Sequence, residues 1–446
     1  MNNSPKFEQA IKLLLEAVAE KQAGSAPSLT AESMRAELAE LAAMRGRPAF
    51  YPYLGAGIGR GARTMRADGR WMLDFALGIG VHLFGHGNLD LIETAVRAAT
   101  SDLVMQGNLI FNREYHALMK ILLAHAPAGM ENCWLSLSGA DANENALKLV
   151  RQKVDGRAGV IAFRGCFHGR TSAMAEITDR PDYRLGQPTT FPVEYLPFYQ
   201  RHDPNSSAAT LAALRDIIAQ RANEMAALLV ELVQGEAGFV TAPREFFIPL
   251  FEECRRAGIA IWIDEVQTFG RTSELFATNR LRLADYADVV TIGKVFQGSA
   301  VLWRKNFAPD AGLISGTFSG ATVPMAVGRR IIEKLTAEGM FGPEGREKQL
   351  ERLTREHLER MSHHHPGIIS QVDGIGAMIA FQIGNGALSR TKEFIMRCFD
   401  AGLVLYYGGH QPACIRLFMP AGVLSDDELR EAFAIMDNCL QPISGA

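Results

Sequence analysis

Short apolar runs alternate with helical stretches through the middle of the chain. The runs that are apolar enough to form buried strands are residues 132–137, 158–164, 226–233, 259–263 and 289–292. Two of the intervening stretches, residues 208–222 and 245–257, are predicted to be helical. Strands that are joined by helices require right-handed crossovers. The central pattern therefore predicts an α/β domain around a mainly parallel sheet.

The two ends of the chain have a different pattern. The N-terminal part is predicted to contain two helices, over 6–22 and 29–45, and a hairpin over 64–75 that turns at Asp68-Gly69. Toward the C-terminus, a long helical stretch from Pro324 to Met361 precedes a mixture of strands and helices, over 368–383, 389–401, 402–418 and 425–440. This alternation predicts a smaller α+β domain.

We therefore expect three segments along the chain. Residues 1–90 contribute N-terminal helices and strands to the small domain, residues 91–322 form the large domain, and residues 323–446 complete the small domain.

Composition and charge narrow the range of partners. The chain has 446 residues, a net charge of −3 and 48% apolar residues, which describes an ordinary globular enzyme. Its charge balance offers no basic face for nucleic acid or for a membrane surface. The six cysteines include no Cys-x-x-Cys pair, so neither a zinc site nor a disulfide framework is expected. The N-terminal residues lack a signal-peptide pattern, and we predict a cytoplasmic protein that binds no metal.

Lys294 is the first candidate for a catalytic residue. It directly follows Gly293 at the end of the strand predicted over 289–292. In an α/β sheet this end of the strands binds ligands, where a partly desolvated amine can attack a carbonyl group. The alternative is a solvated lysine at a strand end, and a lone Gly-Lys does not exclude it.

Three other strand ends carry residues that could contact the same ligand as Lys294. Asp264 emerges from an apolar strand and needs a cation as a partner, either a protonated ring nitrogen or an arginine. The run Ser138-Gly139-Ala140 opens a predicted helix, and this is either a phosphate-binding turn or a plain N-cap. Phe167 follows a further strand and either packs in the core or stacks on a planar ligand.

Several segments together resemble the class III, or ω-amino acid, aminotransferases, which depend on pyridoxal 5'-phosphate (PLP). The resemblance runs from about Gly55 to Glu431, and the lysine 6-, acetylornithine and 4-aminobutyrate aminotransferases are the most similar branches. The matching segments are DGRWMLDF, FGHGN, SGADANENALKLVR, FHGRT, VELVQGEAG, IDEVQTFGRT, VVTIGK, GTFSG and IRLFMP. The resemblance implies fold type I, with a large domain around a mainly parallel seven-stranded sheet and a smaller α+β domain.

The resemblance also implies a set of cofactor contacts. Lys294 would form the Schiff base with PLP and transfer protons, and Asp264 would pair with the pyridine nitrogen. The remaining implied cofactor contacts are Gln267 to the phenolic oxygen, Gly139 and Ala140 to the phosphate with Ser138 beside them, Phe167 on the ring, Glu231 nearby, and Thr317 to the phosphate of the neighbouring subunit. The role of Thr317 implies a homodimer with shared active sites.

Four residues match substrate-binding positions of the family. Arg416 would bind the α-carboxylate of 2-oxoglutarate or glutamate, and Glu236 would pair with Arg416 when an ω-amine is bound. Arg170 would contact the distal carboxylate. Ile79 stands where ornithine-type enzymes carry a tyrosine, so ornithine is a weaker candidate. The chain also departs from the family in joining Thr268 directly to Phe269, where a glycine is usual.

The resemblance implies transfer of a terminal amino group from an ω-amino acid or diamino acid to 2-oxoglutarate, giving a semialdehyde and glutamate. The same fold also supports an aminomutase or racemase, or a catalytically silent binding subunit. The sequence does not name the amine donor.

Overall fold

The computed structural model describes residues 4–24, 27–102, 109–337 and 339–440. Its helices are α1 (Pro5–Ala23), α2 (Ala31–Arg45), α3 (Leu77–Gly80), α4 (Leu89–Ala99), α5 (Arg113–His125), α6 (Gly139–Lys153), α7 (Ser172–Ile177), α8 (Ser206–Arg221), α9 (Arg244–Arg256), α10 (Ala277–Arg280), α11 (Thr322–Ala337), α12 (Arg346–His364), α13 (Leu388–Ala401) and α14 (Asp426–Leu440). Its strands are β1 (Gly55–Arg60), β2 (Arg63–Arg66), β3 (Trp71–Asp74), β4 (Asn132–Ser136), β5 (Gly159–Phe163), β6 (Val193–Leu196), β7 (Met225–Val230), β8 (Val233–Gln234), β9 (Val240–Thr241), β10 (Ala260–Glu265), β11 (Val289–Ile292), β12 (Ser299–Trp303), β13 (Ile369–Ile375), β14 (Met378–Ile383), β15 (Leu403–Val404), β16 (Tyr406–Gly409) and β17 (Ala413–Phe418). Residues 1–3 and 441–446, which fall in the segments expected to complete the small domain, lie outside the described residues.

The chain divides into two compact units. The first unit comprises Met1–Ser101, Leu350–Val372 and Ile379–Ala446, and the second comprises Asp102–Gln349 and Asp373–Met378. The units thus divide at 101/102 and 349/350, whereas the sequence analysis places boundaries at 90/91 and 322/323. The difference at the second boundary involves α11, which packs against α5 within the second unit.

The second unit is built on a seven-stranded sheet with the order β4-β12-β11-β10-β7-β5-β6. Only β12 runs antiparallel to its neighbours in this sheet, as the pairings of β12 with β11 and with β4 show. The central strands β7, β10 and β11 are buried along their whole length. Such strands need continuous apolar sequence, since helices cover both faces of a parallel sheet. The predicted mainly parallel seven-stranded sheet is confirmed.

The long helical stretch predicted from Pro324 to Met361 is wrong in one respect, because the structure has two helices there, α11 and α12. The connection between them contains Gly339 and Gly342, whose φ angles are +65° and +91°. Glycine adopts these left-handed conformations without a steric penalty. Because the stretches on both sides of this break have helical periodicity, the sequence pattern did not reveal it.

Two four-stranded sheets belong mainly to the first unit, with the orders β1-β2-β3-β15 and β13-β14-β17-β16; the end of β13 and the first residue of β14 fall in the segment Asp373–Met378 of the second unit. The predicted hairpin is present, since β2 and β3 pair antiparallel around Asp68-Gly69. Side chains cap three helices in the N-terminal part of the first unit: Ser4 caps α1, Thr30 caps α2 and Asn88 caps α4. Among the described residues, no helix is both long and apolar enough to cross a membrane.

Candidate active site

Asp264 and Lys294 lie at the same edge of the central sheet. The parallel register of β10 and β11 sets Asp264 beside Thr291 and Glu265 beside Ile292, and Lys294 follows two residues later. Gly293 is extended, whereas Lys294 has a φ of +56° and begins a short 3₁₀ turn. A lysine in this left-handed conformation is uncommon and costs about 1–2 kcal/mol. The surrounding strands therefore hold the Lys294 backbone in a conformation that an isolated peptide avoids.

The Asp264 carboxylate is almost completely buried and accepts three hydrogen bonds. Asn143 Nδ2 and His168 Nδ1 each donate to Oδ2 over 2.8 Å, and the Val266 amide donates to Oδ1 over 2.9 Å. Burial disfavours a charged imidazole, but the contacts with Cys166 and Asp264 raise the pKa of His168 above its ordinary value. The carboxylate is thereby oriented and stabilised at the sheet edge.

Asn143 and His168 are contacts that the sequence analysis did not assign. His168 lies in the quoted segment FHGRT, and Asn143 lies on the buried stripe of α6 with Ala146 and Val150. A signal for Asn143 was available, since an amide on an otherwise apolar helix face needs a buried partner. Its partner, Asp264, lies 121 residues away in sequence, so the sequence alone did not identify it.

The N-terminus of α6 opens onto the same site. Ser138 is its N-cap, and its hydroxyl oxygen accepts a hydrogen bond from the Asp141 amide over 3.2 Å. A helix cannot satisfy its first amides from within, so those of Gly139 and Ala140 are available to an anion. A Cβ on Gly139 would lie 2.5 Å from Val266 Cγ1, so only glycine allows this helix start to lie so close to the residue that follows β10.

Glu231 is buried directly after β7 and binds backbone amides. Its Oε2 accepts from the Phe167 amide and its Oε1 from the Gly235 amide, both over 3.0 Å. Burial raises the pKa of Glu231 to about 7. Glu231 therefore ties together the backbones of the two loops that carry Phe167 and Glu236.

Gln267 is buried, and its Oε1 finds no hydrogen-bond donor among the described residues. A Cβ on Gly235 would lie 1.9 Å from this oxygen, so the glycine makes room for the amide. The Asn143 Oδ1 is similarly buried and has no partner in the described parts of the chain. Buried polar atoms of this kind usually have a partner, so these two indicate a site for a polar ligand.

These side chains surround one cavity of about 270 Å³ in the second unit. Most of the residues from the sequence analysis line it, together with Asn143 and His168; they are Gly139, Ala140, Phe167, Arg170, Glu231, Glu236, Asp264, Gln267 and Lys294. Its walls offer helix amides for an anion at one place and a buried carboxylate for a cationic ring nitrogen at another. Residues of these types fit a phosphorylated pyridine.

Four of the predicted site residues do not line this cavity. Ser138 faces solvent as an N-cap, and Thr317 is exposed in the loop before α11. Arg416 and Ile79 belong to the first unit. The buried Arg416 side chain on β17 donates from Nη2 to the Tyr407 carbonyl over 2.9 Å, and Ile79 is partly exposed in α3 with a φ of +60°.

The sequence and structure were compared with those of known proteins. A family model described as aminotransferase class-III matches residues 53–440. The chain is 31% identical over 409 residues to the 2-aminoadipate transaminase of Pseudomonas putida, which covers 86% of this chain and 95% of the relative. It is 27% identical over 397 residues to the acetylornithine aminotransferase of Caldanaerobacter subterraneus, covering 86% of this chain and 94% of the relative. In structure it is similar to the lysine aminotransferase of M. tuberculosis, with a TM-score of 0.80 and 22% identity over 91% of this chain and 99% of that one.

Proposed function

Because the chain belongs to the class-III aminotransferases, we propose that it transfers the terminal amino group of an ω-amino acid or diamino acid to 2-oxoglutarate, giving a semialdehyde and glutamate. The enzyme is a PLP-dependent transaminase, as the members of this class are. The donor class and the keto-acid acceptor are the proposed part.

One observation carries the assignment of the site to this chemistry. Asp264, Lys294 and the N-terminus of α6 meet on a single cavity at the edge of the sheet. Each group alone has an ordinary structural explanation. Their convergence supplies an amine, a buried carboxylate and an anion-binding helix end, which are the three groups that bound PLP requires.

The residues of this cavity would hold the cofactor at several of its atoms. We assign the phosphate to the amides of Gly139 and Ala140, the ring nitrogen to Asp264 and the phenolic oxygen to the Gln267 amide, which can turn to present Nε2. Phe167 would cover the ring face. When bound, PLP supplies an electron sink for the bonds around the substrate carbon.

The protein's own part in the reaction is proton transfer and orientation. The Lys294 amine would move a proton to and from the substrate carbon as a general base and acid. Asn143 and His168 hold the Asp264 carboxylate in place through the two 2.8 Å hydrogen bonds described above. Removing either donor would leave a buried carboxylate less well satisfied, at a cost of about 1–3 kcal/mol.

The substrate side of the proposal rests on the charged residues that match substrate-binding positions of the family. Arg416 would bind a carboxylate, Glu236 would pair with Arg416 while an ω-amine is bound, and Arg170 would take a distal carboxylate. Ile79 would offer the substrate an apolar side chain at the position where ornithine-type enzymes carry a tyrosine. The names of the relatives support donors that carry both a carboxylate and a terminal amino group, such as acetylornithine, 4-aminobutyrate and lysine.

A second candidate donor follows from one relative. The Pseudomonas putida protein at 31% identity is named for 2-aminoadipate, a dicarboxylic acid whose amino group lies beside a carboxylate. An α-amino dicarboxylate has two carboxylates, as glutamate does, so it would take the contacts proposed for glutamate. 2-Aminoadipate is therefore included in the test below.

We also propose that the enzyme is a cytoplasmic homodimer. A surface segment of three consecutive apolar residues is exposed, with Leu109 at 91%, Ile110 at 63% and Phe111 at 57%. Phe111 also lines an open groove of about 550 Å³ with Tyr115 and Trp134. A second copy of the chain would cover this surface, and the exposed Thr317 would then serve the partner's site. The six free, buried cysteines support a reducing compartment.

The test is a donor screen with and without 2-oxoglutarate. Purified enzyme is incubated with lysine, 4-aminobutyrate, acetylornithine, ornithine and 2-aminoadipate, and glutamate is quantified. We expect glutamate formation that depends on both substrates. Turnover of an amine without a keto acid would instead indicate an aminomutase or racemase, and no cofactor absorbance after PLP addition would indicate a silent homologue.

Lys294→Ala should lower turnover by about 10³-fold or more, because it removes the amine that transfers the proton. Lys305→Ala is the matched control, since Lys305 also begins a 3₁₀ turn after a strand but lies outside the cavity. Circular dichroism checks that both variants fold. Substantial residual activity of Lys294→Ala would contradict the assignment of this residue.

A further inference from the structure

Arg170 is held at the edge of the cavity by aromatic rings. Its guanidinium carbon lies 4.1 Å from the ring centroid of Tyr183 and 5.9 Å from that of Phe167. Within the parts of the chain that the structure describes, no carboxylate forms an ion pair with Arg170. Stacking on a ring leaves the N–H edge of a guanidinium available, and that edge is what binds a carboxylate in bidentate fashion.

The position of Tyr183 is itself fixed by its neighbours. Tyr183 lies in a 3₁₀ turn over Pro181–Arg184, and its amide donates to the Arg180 carbonyl over 2.9 Å. Arg184 ties this turn to the end of α7, since its Nη1 donates to the carbonyls of Ala175, Glu176 and Thr178 over 3.1–3.3 Å. The turn that carries the Tyr183 ring is thus anchored to the end of α7.

A second arginine contacts the same ring. The guanidinium carbon of Arg180 lies 4.8 Å from the Tyr183 centroid, and Asp182 accepts two hydrogen bonds from it, over 3.1 and 3.2 Å. The bonds to Asp182, and more weakly the charge of Glu236, raise the pKa of Arg180 above its ordinary value. The charge of Arg180 is therefore largely balanced within the protein, whereas that of Arg170 is available to a ligand.

From this arrangement we propose that Tyr183 is a positioning residue for substrate selection: its ring holds Arg170 ready to bind the distal carboxylate of a substrate. The inference deepens the proposed function and rests on it, because it concerns the same cavity. Tyr183 itself touches neither the reacting atoms nor the carboxylate. It acts by reducing the rotational freedom that a long, exposed arginine would lose when it binds an anion.

Equilibrium binding tests this inference without any turnover. Glutarate and pentanoate have the same carbon chain and differ in the second carboxylate, so the ratio of their Kd values reports its recognition. The PLP-loaded wild type and the variants are titrated with each acid by calorimetry. We expect Tyr183→Leu to lower the glutarate preference about 3- to 30-fold, and Tyr183→Phe, which keeps the ring, to stay within about twofold of wild type.

Three further variants complete the experiment. Tyr286→Leu is a matched control, because its ring also lies under an arginine, Arg255 at 4.7 Å, but does not line the cavity. Tyr183→Gln is a second ringless variant, used if Tyr183→Leu does not fold. In an Arg170→Leu background, Tyr183→Leu should have no further effect on the preference, since the two residues act through one contact.

A kinetic measurement separates selection from general damage. With 4-aminobutyrate and butylamine as donors, Tyr183→Leu should raise KM for the amino acid alone, while kcat for it is kept. An unchanged glutarate preference, an equal effect of Tyr183→Phe, or additive effects with Arg170→Leu would overturn the inference. If the preference shifts as expected but no donor gives glutamate, the proposed function fails and the inference on carboxylate binding stands.

Discussion

Glu231 shows how a single buried carboxyl group couples the site to pH. Among the described residues its two oxygens accept from backbone amides, those of Phe167 and Gly235, and the residue is 7% exposed. Two amide donors compensate part of the desolvation, but not all of it, and burial raises the pKa of Glu231 to about 7. In the unfolded chain the pKa returns to about 4.3–4.5.

This shift predicts a pH-dependent loss of stability. Between about pH 4.5 and pH 7 the unfolded chain releases the Glu231 proton while the folded chain retains it, so rising pH favours unfolding until it passes the folded pKa. A difference of about 2.5 pKa units corresponds to about 3 kcal/mol. We expect the free energy of unfolding of the wild type, relative to Glu231→Gln, to fall by about 2–3 kcal/mol from pH 5 to pH 8.

Urea denaturation of the cofactor-free protein at several pH values measures this difference. Glu231→Gln will be less stable than the wild type at low pH, because the glutamine side chain has one acceptor oxygen for the two backbone N–H donors. The informative quantity is therefore the slope of the free energy of unfolding against pH. Glu224→Gln is the control, since Glu224 is a surface residue paired with Arg221. Parallel pH profiles of wild type and Glu231→Gln would show that Glu231 titrates normally.

At the same scale, sequence reasoning identified the charged ends of the site and missed its supporting contacts. Lys294 and Asp264 stand out because each interrupts the end of an apolar strand. Asn143 and His168 donate to Asp264 from positions 121 and 96 residues away. No local pattern contains that pairing, since it exists only after α6 and the loop before α7 have packed against β10.

At the scale of elements, the start of α6 combines two functions. Ser138 caps the helix through its side chain, and the adjacent amides face the cavity. We expect Ser138→Ala to lower the free energy of unfolding by about 1 kcal/mol, because the Asp141 amide loses its acceptor. We expect Ser138→Asp to keep the cap but to weaken PLP binding about tenfold or more, since its charge opposes the phosphate.

Urea denaturation of the cofactor-free protein and titration with PLP read out the two effects separately. Thr30→Ala is the matched control, because Thr30 caps α2 by the same contact, to the Ser33 amide over 3.1 Å, and does not line the cavity. It should lower stability and leave PLP affinity unchanged. Normal PLP affinity of Ser138→Asp would place the phosphate elsewhere.

The loop after β10 illustrates an element that departs from the family pattern and is nonetheless well packed. Thr268 donates to Glu265 Oε2 over 3.0 Å, and the same carboxylate oxygen accepts from the Ala277 amide over 2.6 Å. Phe269 is buried against Phe276 and Phe296, at centroid distances of 5.1 and 5.6 Å. The missing glycine is thus compatible with an ordered loop, because both side chains find partners.

At the scale of the whole molecule, the exposed segment Leu109–Phe111 gives the homodimer a direct test. The wild type should have a mass in solution of about 98 kDa, twice the 48.8 kDa of one chain. Ile110→Lys places a charge in the covered surface and should shift this mass toward the monomer. Activity should fall with it, because the partner's Thr317 would no longer reach the site.

Light scattering coupled to gel filtration measures the mass of each variant. Leu185→Lys is the control, since Leu185 is 79% exposed but lies outside the Leu109–Phe111 segment. It should remain a dimer with normal turnover. A wild type that is monomeric and active, or an Ile110→Lys variant that stays dimeric, would contradict the proposed interface.

The sequence by itself determined the types and order of most elements, the strand-end positions of Lys294 and Asp264, and the enzyme class. The elements and the strand-end positions depend on local patterns, since a buried strand requires a continuous apolar run and a reactive residue interrupts it. The enzyme class came from the resemblance of several segments to a known family. The tertiary structure determined which strands and residues are neighbours: β12 lies between β4 and β11, Asn143 and His168 both contact Asp264, and the Tyr183 ring lies against Arg170. Such neighbours are distant in sequence and are selected by packing and hydrogen bonding in the folded chain, where no periodicity along the sequence records them.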